Sequence, residues 1–435
     1  MQDALTGSGQ PAPTFTEALK VWLKIGLLSF GGPAGQIALM HKVLVDEKKW
    51  IDEPRYLSAL NFCMLLPGPE AMQLATYVGW RLHGVMGGLA AGLLFVIPGA
   101  LVVLALSMAY AAFGRLPLAE ALFVGVKAAV LAIVVEALLR VAKRALKGNI
   151  DWAIAGLAFL AIFAFGVPFP IIVLAAAIFG YLRSRGVANK AVTAKIAPVP
   201  VMQTIKTVAI WLVIWAAPLL GLAAIFGGDH VLTKLSIFFS KLAVVTFGGA
   251  YAVLAYMAQD VVQTHKWLQP GEMLDALGLA ETTPGPLILV TEFVGYLSAH
   301  RFGGGNPVVM GTLGAFVALW ATFAPCFLWI FAGAPYIERL NAEPRLKAAL
   351  AAVTAAVVGV ILNLTVWFAL NVLFRKVDTL SVGPLQLTVP QLNSVDVRAV
   401  ALSALAFALL FLLHRGIITT LAICGGLAIV WFLAG

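Results

Sequence analysis

The sequence predicts an all-α polytopic membrane protein of two homologous, antiparallel halves with broken or re-entrant helices, about thirteen membrane segments in all. Three observations lead there. Of 435 residues, 61% are hydrophobic and only 11% charged, against about 25% charged in soluble domains. Many apolar runs reach the roughly 20 residues that a spanning helix needs. Short motifs also recur in the same order, half a chain apart.

The recurrence is detailed. Phe30-Gly31-Gly32 returns as Phe247-Gly248-Gly249. At the same offset Lys24 maps to Lys241, Met40 to Met257, Lys49-Trp50 to Lys266-Trp267, and Pro67-Gly68-Pro69 to Pro284-Gly285-Pro286. Val78-Gly79 maps to Val294-Gly295 after one residue is dropped, and Lys127 pairs with Lys347 further on. The expected organisation is a flexible amino terminus (1–14), a first repeat (15–183), a linker with a connecting span (184–229) and a second repeat (230–435). Each repeat holds two broken stretches and then four longer apolar segments. These lie near 84–113, 117–146, 150–165 and 168–183, and near 306–333, 343–374, 397–413 and 416–434.

The connecting span near 207–227 would invert the second repeat relative to the first. Loop charge agrees with this. The segment 140–147 carries Arg140, Lys143, Arg144 and Lys147, and the linker 183–206 is basic without an acid, so both read as cytoplasmic. The uncharged turn 166–170 reads as outside, and the long 375–398 connection, with only three basic residues over 24 positions, can lie outside. The amino terminus is then inside and the carboxyl terminus outside. The stretch before Phe15 is polar, so no cleavable signal peptide is expected. Inverted repeats are common in secondary transporters, whose sites lie near the midplane.

The broken stretches carry the site hypothesis. Residues 54–83 would form a helix of about 45 Å if straight, and Pro67 and Pro69 interrupt it. Two arms meeting at Pro-Gly-Pro suit a re-entrant hairpin; an unwound spanning helix is the competing geometry. The same holds for Pro284-Gly285-Pro286 and for both Phe-Gly-Gly breaks. Pro69 and Pro286 suit a first helical position, and the paired glycines permit positive φ. Up to four helix N-termini would then face a central cavity, where free N–H groups and a partial positive charge favour an anion. Ordinary glycine and proline kinks are the plainer alternative.

Ionisable groups inside apolar runs are functional candidates. Lys24 and Lys241 shortly precede each Phe-Gly-Gly; they either add positive charge to the site or snorkel to the interface. Lys127 and Lys347 are weaker candidates. Glu70, Glu281, Glu292 and Glu136 are the candidates for carrying a proton; for the first three a structural cap or a solvated charge is the alternative. Glu136 has an ion pair with Arg140 as its simpler account. Gln73, Thr76, Thr282, Thr283 and Thr291 could contact oxyanion oxygens or simply cap helices.

Other classes are disfavoured. The net charge of +9 sits in short loops, which fits membrane topology better than nucleic-acid binding. Six scattered histidines and three separated cysteines offer no metal site, disulfide framework or cofactor site. No Walker-type fingerprint indicates ATP drive, and no catalytic cluster indicates an enzyme.

The stretches FGGPAGQIALM, LLPGPEAMQLATYVGW, FGGAYAVLAYM and ETTPGPLILVTEFVGY together resemble the chromate ion transporter family in its long, two-repeat form. The resemblance implies a bacterial inner-membrane transporter with antiparallel halves. It would export chromate by the proton gradient and confer chromate resistance. The family motifs fall on Phe30, Gly31, Gly32, Pro33, Gly35, Pro67, Gly68, Pro69, Glu70 and Gln73. In the second repeat they fall on Phe247, Gly248, Gly249, Thr282, Thr283, Pro284, Gly285, Pro286, Phe293, Val294 and Gly295. The family often carries an amide near Glu292, so a carboxylate there is a departure. Chromate and sulfate are similar tetrahedral dianions, so a sulfate or broader oxyanion carrier, and an uncoupled oxyanion channel, stand as alternatives. The expected partners are chromate or sulfate, protons and the lipid bilayer, without nucleic acid; homodimerisation stays open.

Overall fold

A computed structural model of the chain describes residues 13–30, 32–184, 201–247, 249–337, 340, 343–383 and 385–434. Gly31, Gly248, most of the 1–14 terminus and residues 185–200 of the linker lie outside the described residues.

The first repeat opens with α1 (Phe15–Leu28) and α2 (Gly32–His41) around the Phe-Gly-Gly break, then α3 (Glu53–Leu65) and α4 (Glu70–Phe113) around Pro-Gly-Pro. α5 (Pro117–Ala145), α6 (Asn149–Phe165) and α7 (Phe169–Arg183) follow, and α8 (Val201–Phe226) connects the repeats. The second repeat runs α9 (Val231–Val245), α10 (Ala250–Gln259), α11 (Pro270–Thr282), α12 (Val290–Phe302), α13 (Pro307–Gly333) and α14 (Pro344–Leu373). It ends with α15 (Val397–Phe407) and α16 (Ile417–Leu433). All nine long segments expected from hydropathy are helical. Five are long and apolar enough to cross a membrane; α6, α7, α16 and the Val397–Leu412 stretch are shorter apolar helices. The protein is a mostly helical, polytopic membrane protein.

Matching sequence makes matching backbone. A π-helical turn follows the second arm in each repeat, at Lys42–Glu47 and at Asp260–Thr264. A lysine with φ of 53° comes next in both, Lys49 and Lys266, just before Trp50 and Trp267. α4 is two helices: His83 and Gly84 are non-helical, with Gly84 at φ 63°. Residues before and after this turn meet at glycines, because a Cβ on Gly79 would strike the Gly87 carbonyl. In the second repeat Gly295 stands in the same relation to the Gly314 carbonyl, between α12 and α13. Only a residue without Cβ lets the two backbones approach this closely.

Two expectations need correction. The chain is not all-α: β1 (Val377–Val382) and β2 (Leu385–Pro390) pair antiparallel, Thr379 opposite Thr388. Their β-branched residues and the Gly383 turn at φ 60° suit a hairpin, which apolar-run reading cannot register. Pro69 and Pro286 also sit one position earlier than expected, at the N-cap. The Pro69 carbonyl accepts from Gln73 N–H. Pro286 caps a 3₁₀ turn, Leu287–Leu289, that leads into α12.

Packing divides the chain into two compact units, each drawn from both repeats. One comprises Met1–Ala105, Gly186–Ala250 and Thr283–Lys347; the other comprises Leu106–Arg185, Tyr251–Thr282 and Ala348–Gly435. In the first, α13 packs against α12, α9 and α8. α8 is apolar yet has almost no buried residues, so it offers its surface to lipid. In the second, α5 packs against α16, α15 and α11, and β2 lies on α6.

Candidate functional site

All four breaks lie in the first compact unit. α1 ends at Ser29 and α9 ends at Thr246, and both leave helical geometry there, with ψ of 77° and 102°. Each hydroxyl turns back on its own helix: Ser29 Oγ donates to the Ile25 carbonyl at 2.6 Å, and Thr246 Oγ1 donates to the Leu242 carbonyl. Such i−4 bonding satisfies the hydroxyl locally and leaves the two terminal carbonyls to point elsewhere.

Those carbonyls reach the opposite repeat. Gly285 N–H donates to the Ser29 carbonyl at 2.8 Å, and Gly68 N–H donates to the Thr246 carbonyl at 3.1 Å. The two bonds correspond under the repeat offset. Each Phe-Gly-Gly break is thus strapped to the other repeat's Pro-Gly-Pro break. The break glycines are left-handed, with φ of 70° at Gly32, 95° at Gly249, 108° at Gly68 and 92° at Gly285. Glycine alone takes such values without strain.

The straps revise the expected cradle. The Gly68 and Gly285 amides are spent on carbonyls, so they are not the free donors anticipated for an anion. Within this unit α2 and α4 each begin directly after a break, and their first turns carry the N–H groups that a helix leaves without intrahelical partners. Phe30 is exposed and Phe247 half-buried, so neither ring is a core anchor.

Two glutamines support the breaks. Gln73 Nε2 donates to the Pro67 carbonyl at 2.7 Å and Gln36 Nε2 to the Gly285 carbonyl at 2.6 Å. Both side chains are buried, and each Oε1 is left without a partner. Gln36 lies inside the quoted FGGPAGQIALM stretch, but only its contact distinguishes it from its neighbours. The threonine hydroxyls serve helices instead. Thr76 donates to Met72, Thr282 to Leu279 and Thr291 to Ile288 carbonyls. Thr283 is buried. Lys24 and Lys241 are both exposed.

The acids differ among themselves. Glu70 is half-buried on the first turn of α4, its Oε1 3.5 Å from where a Gly249 Cβ would stand. Glu292 on α12 is 1% exposed and its Oε2 has no partner. In the second unit, Glu281 is 5% exposed; its Oε1 accepts from Tyr251 Oη at 2.8 Å while Oε2 stays unpaired. Glu136 pairs with Arg140 one turn on, as its simpler account holds. Asp275 is also buried, and sequence reasoning does not single it out. Its only signal is a lone acid where the first repeat has Ser58.

Comparison with known proteins adds to this geometry. The profile of the family described as chromate transporter matches residues 16–181 and 233–430, one stretch in each repeat. The chain is 34% identical over 386 residues to a chromate transport protein of Pseudomonas aeruginosa, covering 88% of this chain and 87% of that one. It is 31% identical to a chromate transport protein of Cupriavidus metallidurans, over 82% of this chain and 83% of the other. A probable chromate transport protein of Synechococcus elongatus is 30% identical, over 81% and 84%. No solved structure matches the chain.

Proposed function

The chain belongs to the chromate transporter family, and from that premise we propose that it is a secondary active carrier that exports chromate across the bacterial inner membrane, driven by the proton gradient, and so confers chromate resistance. The observation that carries this reading is the pair of reciprocal straps between breaks. Unwound backbone within apolar sequence is tolerated only where it is buried in protein or lines a wet cavity. Here it is duplicated and adjoins the N-termini of α2 and α4, which favour an anion.

The proposed topology has about thirteen segments and inverted repeats, with the amino terminus cytoplasmic and the carboxyl terminus periplasmic. In the proposed cycle the dianion binds beside the Phe-Gly-Gly and Pro-Gly-Pro breaks, with access alternating between the two sides. Glu70, Glu281 and Glu292 are the carboxylates proposed to exchange the proton. The burial of Glu281 and Glu292, each with one oxygen left without a hydrogen-bond partner, supports that choice, because a buried carboxylate is costly unless it is fully paired or binds a proton.

The test is uptake of labelled chromate into inside-out vesicles, with and without a proton gradient and with excess sulfate. Gradient-driven accumulation that sulfate blocks poorly is the expected result. Accumulation abolished by sulfate makes the protein a broader oxyanion carrier. Equilibration that ignores the gradient makes it a channel.

A further inference from the structure

Within the second compact unit a buried ion pair lies outside the breaks. Asp275 on α11 has a side chain 5% exposed, and its Oδ1 is 3.2 Å from Lys127 Nζ on α5. Oδ2 accepts from Tyr110 Oη at 2.7 Å. The contact to Lys127 is an ion pair without hydrogen-bond alignment, which leaves Oδ1 able to take a further donor. The Lys127 side chain is 24% exposed against 5% for Asp275, so the pair has one buried end and one accessible end. Gly271, one turn before Asp275, gives the ammonium room: a Cβ there would stand 3.3 Å from Nζ.

The position is not peripheral. Lys127 is about 15 Å into α5 from its first residue, beyond the last turn where snorkelling is easy. The duplicated scaffold does not require the pair either. Under the repeat offset Asp275 falls on Ser58, so the first repeat has a hydroxyl where the second has an acid.

We propose that Asp275, held by Lys127 and Tyr110, is a proton-exchange site of the carrier. This rests on the proton-coupled reading above and extends it to a residue outside the three glutamates named there. With Asp275 ionised, the pair ties α11 to α5. A proton arriving from the accessible Lys127 end converts the carboxylate to a neutral acid, the ammonium loses its counter-ion, and the tie between the helices loosens. Loss of the proton restores it. The groups that face Asp275 are Lys127 from α5, Tyr110 from the end of α4 and Glu272 one turn earlier on α11. α16, which also packs on α11, carries only Cys424, whose thiol is directed to the Leu402 carbonyl.

The experiment uses the full chain in proteoliposomes, with labelled chromate as probe. Two rates are read: exchange against chromate on the other side, which needs no net proton movement, and accumulation under an imposed proton gradient. Asp275→Asn, and the paired neutralisation Lys127→Gln with Asp275→Asn, are expected to keep exchange. Gradient-driven accumulation should fall about tenfold or more, the scale of a typical coupling energy. Asp275→Glu should restore part of it. A wild type driven by the gradient beside an equally driven Asp275→Asn overturns the proposal alone. Loss of exchange in both the single and the paired variant also overturns it, by making the pair structural. A wild type that exchanges chromate but ignores the gradient removes the proton-coupled reading, and the proposal with it.

Discussion

Set Gly68 beside Gly285, its counterpart in the second repeat. The φ values are 108° and 92°, and each N–H reaches the carbonyl of a hydroxyl residue that ends the other repeat's first arm. Around this shared backbone the side chains part. Gln36 corresponds to Val253, and the neighbourhood of Gln73 corresponds to Leu289 and Val290. Conversely Asp275 and Glu281 correspond to Ser58 and Met64, and neither Ala75 nor Thr76, which align with Glu292, is acidic. The repeats hold a conformation in common and divide the polar chemistry: the buried amides are in the first, and most buried carboxylates in the second. A helix break needs the same φ angles wherever it occurs, whereas a proton or an anion needs its groups only once.

The largest test of this equivalence is to break both tips. Gly68→Val and Gly285→Val each force a β-branched residue into left-handed geometry, a strain of about 1–3 kcal/mol. A Cβ would also stand 3.1 Å from Cys326 Sγ and Gln73 Nε2 at Gly68, and 2.9 Å from Leu289 at Gly285. Both variants should lose chromate uptake, measured per correctly inserted protein. Full uptake in either one would show that the two tips are not equivalent.

Next in size is the division of acids. Glu292→Leu removes an unpaired buried carboxylate, so thermal unfolding in detergent should be unchanged or raised in temperature. Chromate accumulation should nonetheless be lost. A stable, fully active Glu292→Leu would remove this acid from the proton pathway.

A smaller effect is expected where the first repeat is made like the second. Gln36→Val deletes the 2.6 Å bond to the Gly285 carbonyl and should cost about 1–3 kcal/mol, because a buried acceptor is orphaned. The reverse change, Val253→Gln, should bring no gain. Smallest of all, Ser29→Ala and Thr246→Val remove only the local hydroxyl bonds and leave the carbonyl straps. Each should cost about 1 kcal/mol or less and leave uptake in place. A large loss from either would mean that the hydroxyls act beyond their own helix.

Much of the scaffold is legible residue by residue. Apolar length marks the nine long helices, Pro-Gly-Pro and Phe-Gly-Gly mark the breaks, and the paired glycines mark positive φ. The β-hairpin is not legible in this way, because Val377–Val382 and Leu385–Pro390 lie in a polar connection where hydropathy is silent. Nor are the π turns, because nothing local in Lys42–Glu47 or Asp260–Thr264 distinguishes them from α-helix. Of the candidate site, Glu136 is legible as a partner of Arg140 because the pair is one helical turn apart. Asp275 is not, because Lys127 and Tyr110 are far away in sequence.

The sequence by itself determined where the chain crosses apolar surroundings, where its helices must stop and that the plan is used twice. These follow from side-chain transfer energies and from the φ ranges of glycine and proline, which belong to single residues. Only the tertiary structure decided that Gly285 is strapped to Ser29 and Gly68 to Thr246, and that Gln36 in the first repeat serves a carbonyl in the second. A residue carries its own conformational preferences, but a hydrogen-bond partner at such separation is set by the path of the whole chain.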